Sequence, residues 1–136
     1  MSQQDFDEAV KQYNMAMSDF FKGKPEPINS LYSSCDEISL AQLSGGIFLG
    51  RNQVTEAASR NAMKYRESVK TTFETLAKYV TPELAYIVQV ERTEAKIGGS
   101  KEFSSLALRV TSIFRREEAS WKLVHRHVDS NVFPPC

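Results

Sequence analysis

Ser105-Leu-Ala-Leu-Arg-Val-Thr-Ser-Ile-Phe-Arg-Arg-Glu-Glu-Ala-Ser-Trp-Lys-Leu-Val-His-Arg-His-Val-Asp-Ser130 reads as two long strands joined by a charged turn. Apolar and polar residues exchange at nearly every second position, the period at which a strand turns its side chains to opposite faces. Arginines and histidines recur at that spacing, so this pair is where chemistry is to be sought. The Arg115-Arg116-Glu117-Glu118 turn is a solvated hairpin end whose mixed charges discourage edge pairing.

Working back toward the N-terminus, Leu84 to Ala95 forms another strand, entered from Thr81-Pro82-Glu83 and broken by Gly98-Gly99. Val69, Thr71, Phe73 and Thr75 alternate in the strand before it. Upstream the period changes. Val54, Ala57, Ala58, Ala62, Met63 and Tyr65 suit a helix that begins near Arg51 or Asn52, and the turn-like Ser44-Gly45-Gly46 between Leu40 and Leu49 reads as part of a small hairpin or of a strand and loop. Phe6, Ala9, Val10, Tyr13, Met17, Phe20 and Phe21 recur every three or four residues, which predicts a long amphipathic first helix. Gly23 to Pro27 stops it, because proline cannot continue the helical hydrogen-bond ladder, and a short helix over Ile28 to Tyr32 follows. Helices first and antiparallel strands after predict an α+β domain spanning residues 1–136.

Side-chain alternation assigns faces. In the Leu84 strand, the row Leu84, Tyr86, Val88, Val90 and Arg92 is the more apolar and is expected to face the helices. In the last strand Trp121 and Leu123 argue for an inward row that continues through His125, His127 and Asp129. In the strand between them, pattern alone leaves open which of the rows Ala107-Arg109-Thr111-Ile113 and Leu106-Leu108-Val110-Ser112-Phe114 is inside.

The 136 residues carry 17 basic and 17 acidic side chains, so no net field steers the chain toward nucleic acid or an anionic membrane. Asp5, Asp7, Glu8 and Asp19 interrupt the first twenty residues, where a secretory signal needs a basic start and an unbroken apolar stretch. The apolar runs fall far short of the ~20 residues that span a bilayer. The two cysteines, Cys35 and Cys136, lack metal-site spacing and disulfide density. A soluble, cytoplasmic protein is expected, with Cys35 as a packing residue.

Leu106-Ala-Leu-Arg-Val-Thr-Ser-Ile-Phe-Arg-Arg-Glu117 and Trp121-Lys-Leu-Val-His-Arg-His-Val-Asp129, with Leu84-Ala-Tyr-Ile-Val-Gln-Val-Glu-Arg92 and Ser44-Gly-Gly-Ile-Phe-Leu-Gly50, resemble bacterial SnoaL-like proteins of the ketosteroid-isomerase-like superfamily. The resemblance covers nearly the whole chain. It implies a cone in which a curved, mostly antiparallel sheet wraps a long N-terminal helix. The same superfamily holds polyketide cyclases, dehydratases, nuclear transport factor 2 and the association domain of calcium/calmodulin-dependent kinase, so fold alone does not give function.

The resemblance also implies a pocket. Its walls would be Arg92, Arg109, Thr111, Tyr86, Trp121, His125, His127 and Asp129, with Tyr13 and Met17 as the helix lid. An apolar residue near Ala41 stands where a steroid isomerase keeps its carboxylate base, and Thr111 or a neighbour where it keeps its second acid, so that activity is not expected. Arginines beside histidine can hold an anionic or enolisable small molecule through charge-assisted hydrogen bonds, with Asp129 orienting His127 for proton transfer of isomerase, cyclase or dehydratase type. Alternatively, Arg92 and Arg109 are structural, paired with Asp129, Glu91 or Glu94. No metal and no cofactor is expected: His125, His127 and Asp129 on one strand form too weak a ligand set. Two function classes stand, a small-molecule binder or enzyme and a non-enzymatic assembly or accessory domain. A homodimer is expected through the outward sheet face, carrying Ile87 and either Val110 or Ile113.

Overall fold

In the computed structural model, which describes residues 5–131, helix α1 (Phe6–Phe20) begins where Asp5 accepts a hydrogen bond from the Asp7 backbone and caps it. Its three- and four-residue spacing puts Phe6, Ala9, Tyr13, Ala16, Met17 and Phe20 on one buried stripe. Gly23 then takes a positive φ that would strain any other residue, with the Tyr65 carbonyl only 3.0 Å from where a Cβ would stand. Helix α2 (Glu26–Leu31) follows, with Pro27 in its first turn.

Strands β1 (Ser39–Ala41) and β2 (Ile47–Leu49) form the expected hairpin, and α3 (Arg51–Ala62) follows it. Then come the long strands β3 (Tyr65–Val80), β4 (Leu84–Ile97), β5 (Phe103–Glu117) and β6 (Ser120–Ser130). The sheet runs β2-β1-β6-β5-β4-β3, antiparallel throughout except where β1 pairs in parallel with β6. It is curved and unclosed, and α1 lies against its concave face, giving the α+β cone. Tyr65, expected to extend α3, instead opens β3, where its ring packs on Phe20 and Phe21. β3 is an edge strand interrupted by register shifts, with Glu67 and Lys70 at positive φ. Such bulges blunt an edge against further pairing.

Two face assignments are corrected by the structure. In β4 the inward row is Ala85, Ile87, Gln89, Glu91, Thr93 and Ala95, whereas Leu84, Tyr86 and Arg92 are exposed. Two of these buried polar side chains find hydrogen-bond partners on other elements. Gln89 donates to Asn14 and accepts from Thr75, and Thr93 shares a hydrogen bond with Thr71. In β6 the pairing jumps from Phe114↔Leu123 to Ile113↔His125, so Val124 is an extra residue in a bulge. An inserted residue reverses every face beyond it. Trp121 and Leu123 point inward as expected, but past the bulge Arg126 and Val128 are the buried residues, and His125, His127 and Asp129 turn outward. Among the described residues no helix is long and apolar enough to cross a membrane. Cys35 is exposed rather than packed, and Cys136 lies outside the described residues.

Candidate functional site

A cavity of about 250 Å³ lies between α1, the β1–β2 turn, the end of α3 and the sheet. Met17, Phe20 and Phe21 from α1, Leu40 from β1, Ala58 from α3 and Leu106, Leu108 and Val128 from the sheet supply its apolar walls. Gln42, Leu43 and Ser44 of the β1–β2 turn, with Asn61 and Lys64 at the end of α3, also line it, and the exposure of Leu43, Ser44 and Lys64 places them at its mouth. The Gln42 side-chain nitrogen is buried there without a partner. The charged side chain inside is Arg126, 5% exposed.

Arg126 is held by a buried polar network. Its Nε donates to the Tyr13 hydroxyl at 3.0 Å, which also accepts from Ser112 at 3.1 Å and donates to Glu91 Oε2 at 2.7 Å. The other Glu91 oxygen, Oε1, stands 3.5 Å from a terminal nitrogen of Arg126 and has no hydrogen bond of its own. Tyr32 lies buried beside the same guanidinium. Burial pushes the Tyr13 hydroxyl and the Glu91 carboxyl upward against the pull of Arg126. For Arg126, burial opposes the charge, but the Tyr13 and Glu91 oxygens outweigh it and keep the guanidinium protonated. The result is a cation fixed by α1, β4, β5 and β6 at the edge of an apolar cavity.

Of the residues expected at the site, Met17 lines the cavity and Tyr13 orients Arg126. Trp121 is buried against Phe6, away from the cavity-lining residues. The rest do not converge in the cone. Arg92 pairs with Glu74 on the outer face at 2.9 Å, and Arg109 lies 3.7 Å from Asp129. His127 also approaches Asp129, at 3.4 Å, and all three side chains of that cluster are more than half exposed. His125 is hydrogen-bonded through Nδ1 to Ser39 on β1. Tyr86 and Thr111 line a shallow apolar groove on the convex side with Tyr79, Leu84, Val88 and Ile113. Glu91 and Arg126, the centre of the buried network, were not among the expected site residues.

A family model described as a SnoaL-like domain matches residues 8–131. Among solved structures, this chain is similar to a ketosteroid isomerase-like protein from Erwinia carotovora atroseptica, with 12% identity over 93% of this chain and 94% of that one and a TM-score of 0.77. It is also similar to a candidate calcium/calmodulin-dependent protein kinase type II association domain from Thiobacillus denitrificans, at 13% identity, covering 97% and 99% of the two chains, with a TM-score of 0.75. A nuclear transport factor 2-like superfamily protein from Salmonella enterica serovar Typhimurium aligns at 17% identity over 94% and 89% with a TM-score of 0.73. At these identities the likeness is one of fold. No curated protein matches this chain with significance.

Proposed function

The chain belongs to the SnoaL-like domain family, and from that premise we propose that it binds a small amphipathic acid in the cone, apolar body against Met17, Leu40 and Leu108 and carboxylate toward Arg126. The observation that carries this reading is the buried guanidinium of Arg126 beside an otherwise largely apolar cavity. Ligand sites combine apolar walls with a few fixed polar groups. Arg126, the unpartnered Gln42 nitrogen and Lys64 at the mouth are all hydrogen-bond donors, and among the described residues no acidic side chain lines the cavity. Such a set favours an anionic acceptor. The proposed ligand class is the acidic molecule expected from sequence, with Arg126 proposed as its receiver in place of Arg92 and Arg109.

Hydrocinnamate, a phenyl ring on a short carboxylate chain, is a suitable probe. It is expected to raise the melting temperature of the wild-type protein. Ala58→Phe, which fills the cavity from α3, is expected to remove that shift while the ligand-free protein stays folded. An equal shift in both proteins would place binding elsewhere and end the reading.

The convex groove supports a second copy of the chain as partner. Of the residues expected at that contact, Ile87 and Val110 are buried inside the cone, and Ile113 remains, together with Tyr79, Leu84, Tyr86 and Val88. Leu84 and Tyr86 are 50% and 40% exposed, and the Tyr79 and Tyr86 rings stack at 6.0 Å. A contiguous apolar face of this kind suits a self-complementary contact. Light scattering is expected to find a dimer that Tyr86→Glu converts to monomer; a monomeric wild type at micromolar concentration contradicts it.

A further inference from the structure

The cavity accepts an anion at a cation that already has one. Glu91 is 0% exposed, and its Oε1 stands 3.5 Å from Arg126. A ligand carboxylate on the far side of that guanidinium would make two negative groups share one buried positive charge. Like charges so close in a medium of low dielectric do not both stay ionised. Resting on the pocket reading above, we propose that a carboxylate ligand enters the cone together with one proton, taken from solvent by Glu91, so that the buried site keeps the same net charge empty and occupied.

The geometry gives the proton a seat. Glu91 Oε2 is committed to the Tyr13 hydroxyl at 2.7 Å, whereas Oε1 has no hydrogen bond and faces Arg126. When the ligand draws Arg126, Oε1 loses that attraction and takes the proton. The other groups around the pair do not compete for it. Tyr13 on α1, Tyr32 after α2 and Tyr65 on β3 are all pushed upward by burial and remain neutral phenols. Ser112 on β5 and Gln89 on β4 do not titrate. Lys64 after α3 stands at the mouth, and His125 on β6 points outward, its imidazole shifted downward by burial and the neighbouring His127. Glu91 itself is shifted upward by burial, against the pull of Arg126, the direction that favours taking a proton.

The test is calorimetric titration of hydrocinnamate between about pH 6 and about pH 8, in buffers of different ionisation enthalpy. The expected result is uptake of one proton per ligand and an affinity that falls about tenfold per pH unit above the Glu91 pKa. The neutral analogue hydrocinnamamide is expected to bind with no proton uptake. Phenylpropanesulfonate, which does not protonate itself in this range, is expected to bring a proton as hydrocinnamate does, and this excludes entry of the ligand as its free acid. In Glu91→Gln the Tyr13 hydrogen bond retains an acceptor, and hydrocinnamate binding is expected to become independent of pH. If that variant does not fold, the sulfonate result in the wild type decides alone. Hydrocinnamate binding without proton uptake would overturn the coupling and leave the pocket reading standing. Failure of all three probes to bind would overturn both.

Discussion

Replacing Arg126 by methionine is expected to cost about 3–5 kcal/mol of folding stability, because Glu91 is left in the interior without its cation and must either stay charged there or take up a proton. The two side chains are 6% and 0% exposed, so water does not stand in for the lost partner. The Tyr13 hydroxyl loses a donor in the same step. Exchanging Glu91 for leucine as well removes the stranded charge, and the double variant is expected to recover at least half of the loss, since an apolar pair is often no less stable than a buried ionic one. Arg109→Met is the control. Its partner Asp129 is 3.7 Å away and both are 55% exposed, so the cost is expected to stay below about 1 kcal/mol. Urea unfolding midpoints at constant m-value measure all three. An Arg126 variant no less stable than the Arg109 variant would contradict the buried pair.

Phe114→Ala is expected to cost about 3–5 kcal/mol, the range for emptying a buried aromatic site. Phe114 is 2% exposed and sits beside the bulge of β6, where it meets α1. Phe6 and Tyr13 contact its ring edge-on, with centroids 5.3 and 5.8 Å away. Truncation therefore loosens the helix that fixes the Tyr13 hydroxyl as well as opening a void. Chemical denaturation gives the loss directly, and a value below about 1 kcal/mol would mean that α1 is not anchored there.

The order of elements was legible in the sequence because helical and alternating periods are local. The helix expected over Phe6 to Phe21 folds as α1 and ends before Gly23, although α2 starts two residues earlier than expected, at Glu26, with Pro27 in its first turn; the long β5–β6 hairpin lies where its alternation put it. The faces were less legible. In β4 the apolar row Leu84-Tyr86-Val88-Val90 looks like the core, yet the row with Gln89 and Glu91 is inside, because partners on α1, β3 and β6 satisfy those groups. Such partners are distant in sequence and invisible to periodicity. The β6 bulge did leave a trace: Leu123-Val124 are adjacent and apolar, a break in strict alternation, and both are buried. Reading that break as an inserted residue puts Arg126 inside and His127 outside. The cavity itself joins α1, the β1–β2 turn, α3 and β6, a juxtaposition that exists only in the fold.

Side-chain NMR during titration with hydrocinnamate tests most directly whether the functional site lies inside the cone at Arg126. The expected result is perturbation of the Met17, Leu40, Leu108 and Val128 methyl signals and of the Arg126 Nε–H, with the His125, His127 and Arg109 side chains unmoved. Shifts confined to His125, His127, Arg109 and Thr111, with the cone methyls unchanged, would contradict it and move the site to the convex face of the sheet.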